Sequence, residues 1–152
     1  LSLSVLLQTQ IAFSSFIELD KTLSDDEQSY SNMTEGEFIG LIQQLTNLYA
    51  PSAAKFGAQL VSYKYWMSNN LNASSREEGS IWSMSFYGGL ASHPLMTKDG
   101  YTLIICHELG HHFAGYPFSH YDNVPRWGAV EGQADYFATQ QCARNFWFKD
   151  KA

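Results

Sequence analysis

Residues 107–111 of this sequence read HELGH, and residues 131–135 read EGQAD. Residues four apart on an α-helix lie on the same face, so the imidazoles of His107 and His111 can reach one metal ion together. Glu108 is rotated about 100° from His107 around the helix, which places it beside the metal rather than on it. Such a short pattern also arises by chance as two histidines on a helix, so the prediction needs a third ligand.

Glu131 is the candidate for that third ligand. It lies 131 − 111 = 20 residues after His111, on what we predict to be the following helix. Asp135 comes one turn later on the same face, where its carboxylate can accept the second N–H of a ligand histidine and fix its tautomer. Alone, these two carboxylates would be interpreted as solvated helix side chains. Their distance from the HELGH stretch favours a metal site instead.

Three protein ligands with one open position are typical of catalytic zinc. The sequence therefore predicts one Zn²⁺ ion per chain, held by His107, His111 and Glu131. The metal would activate a water molecule and polarise a carbonyl group. Glu108 would take the proton of that water and later deliver it to the leaving amine. The candidates for a group that stabilises the oxyanion are more commonly packing or surface residues, and the sequence does not choose among His112, Tyr116, His120, Tyr121 and Arg144.

Upstream of the motif, the patterns predict one helix and three strands. Thr34 and Glu37 resemble a capping box, and the apolar spacing predicts a helix from about residue 33 to residue 49, ended by Pro51. Three strands are expected at residues 58–67, 71–76 and 81–87, the last with its larger residues on one face.

Two further helices complete the expected order. Thr97 or Asp99 can cap the motif helix, which is expected to run to about residue 113. A last helix is expected from near Pro125 to about residue 147. Helix, strands and then two helices indicate an α+β domain with a small sheet, formed by residues 1–152 as a single unit.

HELGHH followed by EGQAD resembles the gluzincin metallopeptidases, and is most similar to the CAAX-prenyl endopeptidases and their bacterial relatives. The family order of an NA strand, a glycine turn, an aliphatic strand and a GGL segment is matched by residues 72–74, Gly79, residues 81–87 and residues 88–90. The similarity covers about residues 70–140 and implies a zincin-like fold, zinc and peptide-bond hydrolysis. It also implies that a peptide substrate pairs with a sheet edge in residues 71–75, namely Leu71, Asn72, Ala73 and Ser74. The stretch EGQADYFA is more similar to other small gluzincins than to the CAAX-prenyl endopeptidases.

Composition excludes several classes of partner. The net charge of the 152 residues is −6, and no run of Lys or Arg indicates a nucleic-acid surface. No stretch reaches the roughly 18 apolar residues of a membrane span, which argues against a membrane-embedded prenyl-peptide role. Residues 1–13 are apolar. We interpret them as a segment that packs on the domain, with the remnant of an export signal as the alternative.

Cys106 and Cys142 predict a disulfide. Cys106 precedes the first ligand, and Cys142 lies 142 − 131 = 11 residues after Glu131, about three helical turns. Both helices must converge on one metal ion, although Cys106 points about 100° away from His107. A bridge would indicate an oxidising compartment, and two free buried thiols a reducing cytoplasm.

The sequence therefore predicts an exported zinc-dependent peptidase that acts on peptides or proteins, with a cytoplasmic location as the alternative. A second hypothesis is a catalytically silent zinc-binding domain that serves as an interaction module in a larger exported protein. A third is a metal-free packing domain. An intact Glu108 favours the first, since a binding domain has no need of a base. The sequence does not indicate the substrate or the oligomeric state.

Overall fold

The computed structural model describes residues 32–119 and 127–148. The elements follow in the order α1 (Glu35–Lys55), β1 (Gln59–Tyr65), β2 (Ala73–Glu78), β3 (Ile81–Tyr87), α2 (Gly88–Ser92), α3 (Lys98–Phe113), α4 (Glu131–Phe137), a π-helical segment (Ala138–Cys142) and α5 (Ala143–Phe148). Helices around one small sheet form the α+β architecture that the sequence predicts. None of the helices in this part of the chain is long and apolar enough to cross a membrane. Residues 1–13, His120, Tyr121 and Pro125 lie outside the described ranges.

α1 begins at the predicted capping box but ends later than predicted. The Thr34 hydroxyl accepts a hydrogen bond from the Glu37 N–H at 3.3 Å, and the Glu37 carboxylate accepts one from the Thr34 N–H at 2.9 Å. The helix then continues through Pro51 to Lys55. Pro51 removes one helical hydrogen bond, but the turn that follows buries Ala53 completely in the core. Tertiary packing of that turn therefore overrides the stop signal.

The sheet has the order β1-β3-β2, with β3 at its centre. β3 pairs in parallel with β1 and antiparallel with β2. The β2–β3 connection is a tight turn in which Gly79 has a φ of 57°, a backbone conformation that favours glycine. Met84 and Phe86 are wholly buried against the helices, which is the face predicted for the larger residues of β3. β2 is an edge strand among the described strands.

The end of the sheet at which β3 leads into α2 is closely packed. A Cβ atom on Gly88 would lie 1.8 Å from the carbonyl oxygen of Trp66, and one on Gly89 would lie 2.3 Å from the carbonyl carbon of Asn69. Only glycine permits this approach of the β3–α2 junction to the β1–β2 connection. The contact holds in place the backbone that leads into β2.

α3 is capped by Thr97, whose hydroxyl accepts a hydrogen bond from the Gly100 N–H at 3.0 Å. This result decides between the two caps that the sequence allowed. The last helical region begins at Glu131, so its expected start near Pro125 was too early. Residues 127–130 are not helical because their backbone bonds elsewhere: Ala129 N–H donates to His111 O at 3.0 Å, and Val130 N–H donates to Pro117 O at 2.9 Å.

Candidate metal centre

α3 presents two buried histidines on one face. His107 and His111 are 2% and 4% exposed, and their ring centroids are 4.8 Å apart. Their spacing of one helical turn produces this proximity, as the sequence predicts.

Each histidine is oriented through its Nδ1 atom. His107 Nδ1 lies 2.7 Å from the Asp135 carboxylate, and His111 Nδ1 lies 2.8 Å from the carbonyl oxygen of Ala129. A carbonyl oxygen or an ionised carboxylate can only accept, so both Nδ1 atoms carry the proton. In the neutral rings the Nε2 lone pairs are therefore available to a metal ion.

Glu131 completes the cluster. Its carboxylate oxygens lie 3.1 Å from His107 Nε2 and 3.8 Å from His111 Nε2. One ligand atom from each of the three residues falls within 4.8 Å of the other two. Ligand atoms around a tetrahedral zinc ion with bonds of about 2.0–2.1 Å are about 3.4 Å apart. The two distances from Glu131 to the histidines, 3.1 and 3.8 Å, lie on either side of that value. Glu131, whose side chain is 57% exposed, leaves one side of the site open to solvent.

The pKa shifts and hydrogen bonds of the two rings indicate whether the cluster could be stable without a metal ion. Burial lowers the pKa of His107, but the hydrogen bonds to Glu131 and Asp135 and the charge of Glu108 outweigh burial and raise that pKa overall. A charged His107 paired with two carboxylates would thus need no metal. His111 differs, because burial lowers its pKa and its Nε2 is buried without any hydrogen-bond partner. A metal ion would satisfy that orphaned atom, so the donor set fits one.

Glu108 lies beside the cluster and is wholly buried. Its Oε2 atom accepts a hydrogen bond from the Ser75 hydroxyl at 2.7 Å, and the same hydroxyl lies 2.8 Å from the Glu108 carbonyl oxygen. Its Oε1 atom is buried and has no partner. Burial raises the pKa of Glu108 to about 7. A desolvated carboxyl group with one free oxygen next to a metal site is suited to proton transfer.

Gly110 determines how closely α4 approaches α3. A Cβ atom at Gly110 would lie 2.7 Å from Ala134 Cα and 2.8 Å from Ala134 O. Ala134 stands between Glu131 and Asp135, so the close crossing brings both carboxylates to the histidines. The HELGH pattern by itself does not predict this role for Gly110. A glycine in a helix interior costs about 1 kcal/mol of helix stability relative to alanine. Its presence in the middle of a predicted helix is therefore a sequence signal of a close backbone contact.

A disulfide joins the same two helical segments. Cys106 and Cys142 are bridged, with Cα atoms 5.5 Å apart, and both are wholly buried. Cys142 ends the π-helical segment that follows α4, and Cys106 directly precedes the first ligand. The predicted bridge is therefore present and joins the two helical segments beside the cluster of His107, His111 and Glu131.

The strand predicted at residues 71–76, which contains the predicted substrate edge, begins later than predicted. β2 starts at Ala73 and contains Ser74, whereas Leu71 and Asn72 precede the strand. The Asn72 side chain accepts a hydrogen bond from the Ala73 N–H at 2.9 Å, so a side chain rather than a neighbouring strand satisfies that amide. α3 packs directly against β2, which places this edge beside Glu108.

Of the oxyanion candidates, three lie within the described residues. The His112 ring stacks between Trp82 and Trp127 at centroid distances of 5.3 and 5.0 Å, and its Nε2 donates to the Ser83 carbonyl. Burial lowers the pKa of His112 to about 3. Tyr116 is 80% exposed and Arg144 is also on the surface. The structure therefore gives His112 a packing role and brings neither of the other two into contact with the cluster.

Comparison of the sequence with protein-family models and with curated proteins, and of the fold with solved structures, gives no match.

Proposed function

We propose that this chain is a zinc-dependent peptidase with a zincin-like active site. The observation that carries the proposal is the convergence of His107, His111 and Glu131 within 4.8 Å of one another, beside a buried carboxyl group that has one unpartnered oxygen. A closed structural zinc site would use a fourth protein ligand and would need no adjacent base. The combination is typical of hydrolysis. The similarity to gluzincins in the motif stretches supports the same assignment.

His107, His111 and Glu131 would hold the zinc ion. When bound, zinc supplies Lewis acidity that polarises a peptide carbonyl and acidifies water. Asp135 keeps the His107 ring in the tautomer that directs Nε2 toward the ligand position. The Ala129 carbonyl does the same for His111.

Glu108 supplies the proton transfers in this proposal. Its Oε1 atom accepts the proton of the attacking water, and the resulting carboxylic acid delivers that proton to the leaving amine nitrogen. The buried position excludes bulk water from Oε1, so no competing hydrogen bond has to be broken first.

β2 provides the surface for the substrate backbone. Its outer side has no strand partner among the described residues, and an extended peptide can add to such an edge through main-chain hydrogen bonds. Ala73 and Ser74 lie in this strand, next to α3. Peptide and protein segments in extended conformation are therefore the proposed substrates.

We also assign the protein to an exported location. A buried disulfide clamps the metal-bearing helices, and disulfides persist in oxidising compartments and are rare in the cytosol of most organisms. The proposal predicts an oxidised and active protein in such a compartment.

A catalytically silent zinc-binding interaction domain is the second candidate. One observation favours it: His112 is engaged in a stack with Trp82 and Trp127, and the other described oxyanion candidates are on the surface. Such a domain would bind zinc at the same three ligands but would hydrolyse nothing.

Hydrolysis of casein and of unstructured peptides separates the two candidates. We expect one zinc ion per oxidised chain by elemental analysis, and cleavage that stops with a chelator and returns with zinc. Glu108→Gln should keep the zinc and lose the cleavage, because it removes the base and spares the ligands. Zinc binding without cleavage by the wild type would favour the silent domain, and cleavage by Glu108→Gln would contradict the assigned base.

A further inference from the structure

We infer that Ser75 of β2 is a positioning residue for Glu108, which fixes one carboxyl oxygen so that the other stays free for the proton. The inference rests on the proposed function and adds a residue to it. The gluzincin resemblance places the backbone of this serine in the substrate edge, but neither it nor the HELGH motif assigns a role to the hydroxyl group.

The geometry of the pair is specific. Ser75 is 2% exposed and its hydroxyl oxygen lies 2.7 Å from Glu108 Oε2. Among the described residues, no other side chain hydrogen-bonds the Glu108 carboxyl group. The two oxygens of this carboxyl group are therefore distinct, since Oε2 is held by the sheet and Oε1 has no partner. A carboxyl group held at one oxygen cannot rotate freely about its terminal torsion.

Simple packing of the strand on the helix does not account for the contact. The Ser75 hydroxyl also lies 2.8 Å from the Glu108 main-chain carbonyl. That carbonyl is inside α3, where it accepts the regular bond from the N–H four residues later. It does not need the serine. The buried Oε2 atom has no other hydrogen-bond donor among the described side chains, so the Ser75 hydroxyl is the group that satisfies it.

The hydrogen bond between Ser75 and Glu108 joins two elements that have different roles in the proposed function. Ser75 comes from the edge strand proposed to pair with the substrate, whereas Glu108 comes from the metal-bearing helix. One hydrogen bond thus couples the position of the base to the strand that positions the peptide. A shift of β2 relative to α3 would move the base and the substrate backbone together.

The first test compares kinetic constants of variants. Ser75→Ala should lower kcat by about 10–100-fold, which is part of the roughly 10²–10⁴-fold that a positioned general base contributes. It should leave KM within about twofold and zinc stoichiometry unchanged, because neither the ligands nor the backbone edge is altered. Thr46→Val is the matched control. It removes another buried hydroxyl, which donates to the Ile42 carbonyl at 2.7 Å, and it should leave kcat unchanged.

A second pair of variants guards against misfolding of Ser75→Ala. Ser75→Thr and Ser75→Val have nearly the same shape and both suit a strand. Only threonine retains the hydroxyl, so kcat should be at least tenfold higher for Thr than for Val. Equal kcat values for the two would overturn the positioning role.

A spectroscopic measurement tests the bond without any turnover. The carboxyl carbon of Glu108 in isotope-labelled protein can be assigned in NMR spectra by its loss in Glu108→Gln. We expect Ser75→Val to move this resonance by more than it moves any other glutamate resonance, and Thr46→Val to leave it in place. An unmoved resonance would overturn the inference.

The outcomes distinguish this inference from the proposed function. An active wild type with unchanged kcat in the Ser75 variants refutes the role of Ser75 and leaves the peptidase assignment intact. A wild type that binds zinc without cleaving peptides refutes the peptidase assignment. In that case the Glu108 resonance alone decides whether Ser75 holds the carboxyl group.

Discussion

The two ends of α3 are held in different ways. The C-terminal half is joined to the helices after it by a buried disulfide, by the contact of Gly110 with Ala134, and by the bond from His107 to Asp135. At the N-terminal end, the first turn is held by the Thr97 cap and by an exposed ion pair between Lys98 and Glu37 of α1. The next turn is held by apolar packing, because the wholly buried Tyr101 ring lies 5.6 Å from that of Phe38. The disulfide, the close backbone crossing and the buried polar contact lie where three ligand atoms must converge. Apolar packing with a cap and a surface ion pair suffices where only the helix itself must be held.

The largest expected effect comes from removing the disulfide. Cys106 and Cys142 are separated by 36 residues, and closing a loop of that length stabilises a protein by about 4 kcal/mol in the chain-entropy account. We expect the double variant Cys106→Ala/Cys142→Ala to lose about 2–4 kcal/mol of unfolding free energy in urea titrations. Reduced wild type is the control and should behave alike. A loss below about 0.5 kcal/mol, the size of an ordinary surface substitution, would show that the metal end is no more firmly held than the other.

Gly110→Ala should have the next largest effect. The added Cβ would meet backbone atoms of Ala134 at 2.7 and 2.8 Å, and overpacking of this kind costs about 1–3 kcal/mol. The gain of about 1 kcal/mol in helix propensity offsets only part of that cost. Because α4 must move, we also expect weaker zinc binding in a competition titration.

Gly40→Ala in α1 is the matched control for that variant. Its added Cβ would approach only the flexible Gln44 side chain, at 3.9 Å, so this variant should be more stable than the wild type, by up to about 1 kcal/mol. If both variants were stabilised equally, the close helix crossing would not limit the position of α4.

Asp135→Ala should act on the metal more than on the fold. The Asp135 carboxylate accepts from His107 Nδ1 at 2.7 Å, and its side chain is 61% exposed. Loss of such a partner weakens metal binding by about 10–100-fold, which a chelator competition assay would measure. Asp135→Asn keeps an acceptor oxygen and should bind zinc with an affinity between those of the wild type and the alanine variant. Unchanged affinity in both would mean that Asp135 does not orient the ring.

Glu37→Gln should have the smallest effect on stability. Glu37 belongs to α1 and pairs with Lys98 at the N-terminal end of α3, opposite the histidines. The Lys98 side chain, followed by the Thr34 backbone and hydroxyl groups, lowers the pKa of Glu37 to about 2. A lowered pKa in the folded state means that this carboxylate stabilises the fold above its unfolded pKa of about 4.5. That contribution is lost as the pH falls toward 2.

The measurement is the thermal midpoint between pH 6 and pH 2.5, and the variant should show a smaller decrease than the wild type. The ion pair lies on the surface, with the Lys98 and Glu37 side chains 56% and 36% exposed, so the difference should be small and should shrink in high salt. A difference that persists in molar salt would contradict the assignment to an exposed ion pair.

Much of this site could be predicted because its parts are local in sequence. The turn of a helix places His107 and His111 together wherever the helix packs, and Asp135 follows Glu131 by the same rule. The capping box at Thr34 and the alternation in β3 are local for the same reason. The end of α1 was not predictable, since burial of Ala53 carries the helix beyond Pro51. The start of α4 at Glu131 likewise depends on backbone bonds from residues 127–130 to distant partners.

The sequence alone determined the α+β class, the two histidines, the neighbouring carboxyl group and the pair of cysteines, because each follows from composition or from one helical period. Only the tertiary structure decided which groups support them. Ser75 reaches Glu108 across 33 residues, Ala129 reaches His111 across 18, and Gly110 meets Ala134. His112 stands next to a ligand in sequence but is turned into a stack with Trp82 and Trp127. No short-range pattern contains these contacts, since they depend on how the helices and the sheet exclude water from one another.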